Sequence, residues 1–190
     1  GNEPSHHMAY LYNFVNRPND TQRIVREILT TLYSNTPDGD SGNEDCGQMS
    51  AWYVFSSLGF YPVTPGSNQY IIGSPLFEKA TINLENSKQF TVQANGISNE
   101  NFYIRSATLN GKVLDRSYLY HHEITSGGTL VFEMTNTPSS WGTKDSQIPG
   151  TSIQEHQILL TPFIASGTVS FKNSTRITFG VADADADIYY

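Results

Sequence analysis

The sequence has one cysteine, few basic residues and no long apolar run, and each absence excludes a class of protein. Cys46 is the only cysteine, so the chain has no intrachain disulfide framework. Eleven Lys and Arg stand against 18 Asp and Glu, giving a net charge of −7 without a basic cluster, which argues against a nucleic-acid partner. No apolar stretch approaches the ~20 residues of a membrane span, and no signal-peptide pattern is present. The composition indicates no oligomeric state.

The two ends of the sequence are unlike natural termini. The chain opens on Gly1-Asn2-Glu3-Pro4, a loop that runs directly into a predicted helix, and it stops at Tyr190 within a predicted strand. Natural termini are usually polar and frayed. We therefore expect this chain to be a fragment of a longer protein.

Two helices are predicted before residue 34. The first follows Pro4, which suits a helix start, and carries apolar residues at helical spacing up to Val15. The second opens with Asn19 as the expected N-cap and Gln22 three positions later, a capping-box pattern. Its apolar residues form one stripe over 24–33, with Arg, Glu and Thr side chains off the stripe. This second helix is therefore expected to present one face to water.

A third helix is predicted from about Gly47 to Leu58, with Gly59 as its stop. It is apolar on nearly every side, which is typical of a buried helix. A buried, an amphipathic and another buried helix alternate as the inner and outer helices of an α/α toroid do. If neighbouring helices are antiparallel, the first and third begin at the same end of the molecule, which brings Glu3 and Asp45 to that end.

Short strands are predicted after Phe60, where Pro62, Pro65 and Gly66 end the helical pattern. The predicted strands are 69–72, 80–84, 89–94, 103–109, 118–121 and 129–134. Asn-Gly and Gly-Gly pairs at 110–111 and 127–128 are typical of turns between strands. The expected fold class is α+β, with three helices from the end of an (α/α)6 toroid followed by an antiparallel β-sandwich.

Four segments are expected along the chain. Residues 1–66 contain the helices and residues 67–137 the β-sandwich. Residues 138–160 are rich in Ser, Thr, Pro and Gly, which indicates a linker. A further β segment is expected over 161–190.

Carboxylates that lie where two helix N-termini converge suit either a general base or a hard-cation site. The positive end of each helix dipole stabilises an anion there, by up to ~1 kcal/mol. Calcium takes roughly six to eight oxygen ligands, which Glu3, the region of Asn2 and Asp45 would supply in part. The alternative is that Glu3 and Asp45 only cap their helices. Spacing alone leaves both interpretations open.

Two motifs flank the second predicted helix: Gly-Asn-Glu-Pro-Ser-His-His at 1–7 and Gly-Asn-Glu-Asp-Cys-Gly-Gln-Met-Ser-Ala-Trp-Tyr at 42–53. Both resemble glycoside hydrolase family 92, the calcium-dependent exo-α-mannosidases. The resemblance continues through 59–63, 73–77, 107–111 and 127–134 and ends near Trp141-Gly142. It covers about three quarters of the chain. The last thirty residues instead resemble the start of the immunoglobulin-like module at the C-terminus of chitobiases and hexosaminidases.

The resemblance implies a role for several residues. Asp45 corresponds to the general base that activates water, and Asn43 to a position often held by a second carboxylate, where its amide would position water. Asn2 and Glu3 correspond to the calcium-binding loop. The general acid of the family is a Glu upstream of the matched region, so it is expected outside this chain.

Three polar residues are further candidates for contact with the sugar. His6 and His7 are adjacent on a predicted helix, so only one of them is expected to face a cleft, and simple packing is the alternative. Gln48, in the first turn of the third helix, would meet the sugar or cap the helix. Cys46 has no His or Asn arrangement that would make it a nucleophile. The adjacent histidines at 121–122 are expected in a strand, in a structural role.

The resemblance implies part of an inverting exo-α-mannosidase, α-1,2-specific, that acts on mannose-containing glycans such as N-glycans or mannan. Ca²⁺ is the implied cofactor, and a secreted or periplasmic location is implied by the family. The fragment alone is expected to be inactive. Two alternatives are a mannose-1-phosphate diester hydrolase of the same family and a non-catalytic carbohydrate-binding or scaffolding β-domain. Paired carboxylates at converging helix ends disfavour the second alternative.

Overall fold

A computed structural model describes residues 2–150, 161–182 and 186–188. The chain divides into two compact units, residues 1–150 and 151–190. Among the described residues, no helix has the length and hydropathy of a membrane span. The first unit combines helices and β-sheets, which confirms the α+β class.

The helical part of the first unit starts with two 3-10 segments, Glu3–Ser5 and Met8–Val15. They are followed by two α-helices, α1 at Pro18–Thr31 and α2 at Gln48–Leu58. A left-handed Asn16 (φ 63°) turns the chain between the second 3-10 segment and α1. Helix α2 ends as the sequence predicts, because Gly59 takes φ 99° and lies where a Cβ would meet Pro75 at 3.1 Å.

The β part contains a three-stranded and a five-stranded sheet. The three-stranded sheet has the order β1 (Phe60–Tyr61), β2 (Gln69–Ile72), β7 (Tyr118–Tyr120). The five-stranded sheet has the order β3 (Lys79–Asn83), β4 (Gln89–Asn95), β8 (Gly128–Thr135), β5 (Tyr103–Leu109), β6 (Lys112–Val113). Strands β4 and β8 are parallel, so the sheet is mixed and not purely antiparallel as predicted. A short helix, α3 at His121–Thr125, precedes β8.

The three-stranded sheet lies between two hydrophobic cores. Phe60 and Ile72 pack against Phe90 and other residues of the five-stranded sheet, and these residues form the core of a β-sandwich. The neighbouring positions, Tyr61 and Ile71, belong to the core that contains residues of both α-helices. Successive side chains of a strand point to opposite faces of the sheet, so β1 and β2 each contribute side chains to both cores.

A row of amide and guanidinium side chains joins the helical part to the β part. We call it the junction row: Asn13, Asn16, Asn19, Gln22 and Arg26. They occur every three or four residues along the second 3-10 segment, the turn at Asn16 and helix α1. Their partners are mostly backbone atoms, namely the carbonyls of Ile72, Ser117, Thr143, Ser139 and Ser98 and the amide of Ile104. The helices and the sandwich therefore form a single unit.

The helices differ from prediction in three respects. The first predicted helix has 3-10 geometry, and α1 begins at Pro18, so Asn19 is not its N-cap but bonds to Ser139. Arg26, expected off the apolar stripe, is only 6% exposed because it bonds to the carbonyl of Ser98. Helix α1 is consequently buried both at its apolar stripe and at Arg26. Helix α2 was expected to be the more buried of the two, but its Val54 is exposed, so the expected contrast in burial is not found in this chain.

Two further predictions differ from the structure in the β part. His121 and His122 begin helix α3 and are not in a strand. The linker predicted over 138–160 is wrong over its described portion, because Trp141 and Gln147 are buried in the first unit. Residues 151–160 lie outside the described residues. The division of the first unit at residue 66 stays a prediction.

The second unit contains one antiparallel strand pair, β9 (Phe163–Ser166) and β10 (Thr178–Gly180), among its described residues. Phe163, Ile164, Phe171 and Phe179 are all exposed there. An isolated two-stranded pair is marginally stable at best in water. The immunoglobulin-like assignment of this segment stays a prediction.

Candidate functional site

The second 3-10 segment and helix α2 run in the same direction. The indole Nε1 of Trp52 donates to the carbonyl of His6 at 3.0 Å, and Tyr10 Oη donates to Ser56 Oγ at 2.8 Å. In both pairs the residue of α2 comes 46 positions after its partner in the sequence, and this separation stays constant only when two segments run in the same direction. Helix α1 connects them in the chain and packs beside α2, since Tyr33 just beyond the end of α1 stacks on Trp52 in the first half of α2. The starts of the first and third helical segments therefore share one end of the molecule.

Glu3 and Asp45 come together at this shared end. Partial burial, opposed by a hydrogen bond from its own backbone amide, raises the pKa of Glu3, and the neighbouring Asp45 carboxyl raises that pKa further. Glu3 Oε1 is buried and has no hydrogen-bond partner among the described residues. Two carboxylates in contact, one with an unpartnered oxygen, favour either a shared proton or a bound cation.

The backbone at Asp45 is held in an uncommon conformation. Asp45, Cys46 and Gly47 all lie in the left-handed region, with φ of 42°, 59° and 90°. Such residues cost roughly 1–3 kcal/mol each when they are not glycine, and they persist where the surrounding structure fixes them. Here the amide of Gln48 bonds to the Asp45 carbonyl and the amide of Met49 to the Glu44 carbonyl. The exposed Asp45 side chain is thereby fixed relative to the start of α2.

A second carboxylate pair lies beside the first. Asp40 bonds to Glu44, and this contact raises the pKa of Asp40 and lowers that of Glu44, which also accepts from the amide of Ser50. Asp40 and Ser50 line an open pocket of about 460 Å³ with Tyr33 and Tyr53. The sequence analysis did not identify Asp40, because its approach to Glu44 depends on the fold of the 34–47 loop.

His6 is buried, and both of its ring nitrogens have partners. Its Nδ1 lies 3.2 Å from Gln48 Nε2, and its Nε2 lies 3.1 Å from Met49 Sδ. The same Gln48 nitrogen donates to Tyr61 Oη at 2.9 Å. Burial lowers the pKa of His6. The sequence analysis missed Tyr61, which lies in a strand thirteen residues beyond Gln48.

The other predicted site residues are at the surface of the same end. Asn2, His7 and Asn43 are exposed. The carbonyl of Asn2 accepts from the amide and the hydroxyl of Ser5, at 2.9 and 2.7 Å, so the Asn2–Ser5 turn is closed on itself. Because His7 is exposed, a ligand can reach its side chain, whereas its neighbour His6 is buried.

The donor set at Glu3 fits calcium better than zinc. The available groups are two carboxylates and the oxygens of the Asn2 region, which are hard ligands. The unpartnered oxygen of Glu3 would gain a partner from a cation. No group of three His, Cys, Asp or Glu side chains that would hold a metal occurs within the described parts of the chain. These residues would therefore form part of a calcium shell, with waters or other segments completing it.

Comparisons with known proteins find similarity over most of the first unit. Residues 1–136 match the catalytic domain of glycosyl hydrolase family 92. A family 92 α-mannosidase of Bacteroides thetaiotaomicron, solved with mannoimidazole, is 45% identical, with a TM-score of 0.78 over 80% of this chain and 20% of its own. An inverting mannosidase of that family and organism is 44% identical, with a TM-score of 0.73 over 78% of this chain and 20% of its own.

A curated fungal relative is similar over the same part of the chain. It is described as an uncharacterized secreted glycosidase of Arthroderma benhamiae and is 36% identical over 152 residues. The match covers 78% of this chain and 20% of the fungal protein. The chain thus spans about a fifth of the length of these relatives.

Proposed function

Since the chain belongs to glycoside hydrolase family 92, we propose that it forms part of an inverting, calcium-dependent exo-α-mannosidase, with Asp45 as the general base. The observation that carries this proposal is the meeting of Glu3 and Asp45 at the shared end of two parallel helical segments. Helix packing alone does not require two acidic side chains in contact, whereas a hydrolase that uses a general base beside a bound cation requires them.

Two features of Asp45 support its assignment as the general base. Its side chain is exposed, so water reaches it, and the left-handed backbone at 45–47 fixes its direction. In an inverting glycosidase the base takes a proton from water on the face opposite the leaving group, with the acid ~6.5–9.5 Å away to leave room for that water. We assign the acid to a part of the longer protein outside this chain. The amide of Asn43 would orient the attacking water without exchanging a proton.

The neighbouring residues would hold the metal and the sugar. Glu3 and the oxygens of the Asn2 region would bind Ca²⁺, which supplies a site for two sugar hydroxyls when bound. His7 is exposed next to this loop and would contact the sugar. Gln48 uses its amide nitrogen for His6 and Tyr61, so the carbonyl oxygen is the atom that it would offer to a ligand.

We further propose terminal α-1,2-linked mannose of N-glycans or mannan as the substrate, and a secreted or periplasmic location. Two solved relatives are described as mannosidases, one of them as inverting, and the fungal relative is described as a secreted glycosidase. The acidic composition suits a neutral glycan better than an anionic one.

The test is hydrolysis of α-1,2-mannobiose by the longer protein that contains this chain. Asp45→Asn should lower kcat/KM by ~10²–10⁴-fold, the usual contribution of a general base. Asp38→Asn, an exposed acid in the same loop, is the matched control and should change little. NMR of the first product should show β-mannose, as inversion requires.

Each other outcome points to a different function. Turnover of a mannose-1-phosphate diester in preference to mannobiose would favour a diester hydrolase. Glycan binding without turnover by the wild-type longer protein would favour a binding module. Unchanged activity in Asp45→Asn would remove Asp45 as the base.

A further inference from the structure

We propose that His6, Gln48 and Tyr61 form a buried positioning device, which we call the imidazole clamp. The clamp holds the Asn2–Ser5 turn against the start of helix α2. The geometry concerns this chain alone, whereas its consequence for catalysis rests on the proposed function, because Glu3 lies in the turn and Asp45 precedes the helix.

The contacts of His6 determine where its proton lies. The sulfur of Met49 carries no hydrogen, so the 3.1 Å contact requires the proton on Nε2 of His6. In a neutral ring Nδ1 is then an acceptor, and Gln48 must present its amide nitrogen to it, as it does at 3.2 Å. A second proton on Nδ1 would face the donor of Gln48. The clamp therefore selects one neutral tautomer.

Tyr61 fixes the orientation of the Gln48 amide. Gln48 Nε2 donates to Tyr61 Oη at 2.9 Å, so both amide hydrogens are used and the group has little reason to rotate. The Tyr61 ring is itself stacked on Tyr10, with centroids 5.5 Å apart. Strand β1 thereby supports a side chain of α2, which in turn supports His6.

The clamp lies at the same end of the molecule as the two carboxylates, Glu3 and Asp45. The His6 ring contacts Gln48 and Met49, and its backbone carbonyl accepts from Trp52. These contacts begin three residues after each of the two acids, which places the restraint next to the pair. We infer that the clamp sets the spacing between Glu3 and Asp45.

The first test is the tautomer of His6 in the 190-residue chain, read by long-range ¹H–¹⁵N NMR. The wild type should show only the Nε2–H form at neutral pH. Gln48→Glu places a carboxylate at Nδ1, so His6 should become doubly protonated at the same pH. A wild-type ring with the proton on Nδ1, or a ring whose state is unchanged in Gln48→Glu, would overturn the proposal.

The second test is hydrogen exchange at the amides of Ser5 and His6, which close the turn. Gln48→Met and Tyr61→Phe should raise exchange there by roughly tenfold, because the turn loses a buried restraint. Ser56→Ala is the matched control: it breaks the Tyr10 bond between the same two segments farther along them and should leave these amides unchanged. Equal effects in all three variants, or none in the first two, would show that the clamp does not position the turn.

These measurements separate the clamp from the proposed function. Neither uses a sugar, a metal or turnover. An intact clamp in a protein without mannosidase activity would refute only the proposed function. Mannosidase activity in a protein whose Ser5 and His6 amides exchange at the same rate in wild type and Gln48→Met would refute only the clamp.

Discussion

Truncation of Trp141 tests whether residues 139–150 belong to the folded unit. The side chain is 7% exposed and lies in the sandwich core, and its Nε1 donates to the carbonyl of Leu114 at 2.7 Å. Ser139 Oγ donates to the Ile104 carbonyl and accepts from the Trp141 amide, so the segment is tied to the sheet beside the indole. Trp141→Ala removes the ring and leaves the Leu114 carbonyl without its partner.

The expected loss is large for a single substitution. Burial and cavity effects of Phe or Trp→Ala changes cost about 3–5 kcal/mol. For a unit of this size 1 kcal/mol corresponds to about 2–4 °C in Tm, so the melting temperature should fall by about 6–20 °C. Trp141→Phe keeps most of the buried ring and loses the indole hydrogen bond, which should cost about 1–2 kcal/mol. The two variants separate packing from hydrogen bonding.

Urea unfolding followed by far-UV circular dichroism measures these differences directly. Val113→Ala, at an 83% exposed position, is a control that should stay within about 0.5 kcal/mol of wild type. A loss below about 1 kcal/mol in Trp141→Ala would mean that 139–150 is a linker after all. The packing described for the sandwich would then be wrong at this edge.

Three further predictions concern the site and its support. Burial and Asp45 raise the pKa of Glu3, so its charge costs stability as pH rises through and above its ordinary value of 4.5. Glu3→Gln should therefore be more stable than wild type at pH 7 in the presence of chelator, and this difference should disappear below pH 4.5. Urea unfolding at several pH values measures the difference, and a variant less stable than wild type at pH 7 would contradict the prediction. Asn13→Leu should destabilise by about 1–3 kcal/mol, because the carbonyl of Ile72 loses the Asn13 amide, while that of Ser117 keeps the backbone amide of Ile72; a stabilised variant would refute that role. The isolated chain should release no mannose from α-1,2-mannobiose above an Asp45→Asn blank, since the acid is assigned outside it.

The strands were predicted from the sequence more accurately than the helices. Strands β2 and β5 have the predicted bounds, and β3, β4, β7 and β8 differ by one residue at an end or both ends. Alternating apolar residues and turn signals are local, and burial on one face follows directly from them. The order of strands, with β8 between β4 and β5, depends on contacts distant in sequence and was not predicted.

Polar residues explain most of the errors in the helical part. Gln22 was expected in a capping box and Arg26 off the apolar stripe, but Gln22 accepts from the backbone amide of Ile104 in β5. Arg26 donates to the carbonyl of Ser98, in the segment between β4 and β5. A hydropathy pattern counts such residues as solvent-facing, because it contains no information about a partner. The length of the second 3-10 segment, eight residues, has no signal in the sequence that we can identify.

The candidate site was predicted in part. The first and third helical segments are parallel and bring Glu3 and Asp45 together, as expected if neighbouring helices are antiparallel. His6 is enclosed and its ring nitrogens are occupied, which adjacent histidines in a sequence do not reveal. The contact between Tyr61 and Gln48 depends on the path of the chain after α2, which the sequence pattern does not contain.

The junction row has a consequence for how this protein and its relatives can diverge. On one side of the junction the bonding groups are side chains, while the other side presents mainly main-chain carbonyls and two main-chain amides. Main-chain atoms are the same for almost every residue, so substitutions in the sandwich leave these bonds available. Substitutions in the helices at the same contacts do not. We expect the helical side of the junction to change slowly during evolution and the sandwich side to vary freely. Because neither side-chain amides nor main-chain groups titrate, the bonds between them should also be insensitive to pH.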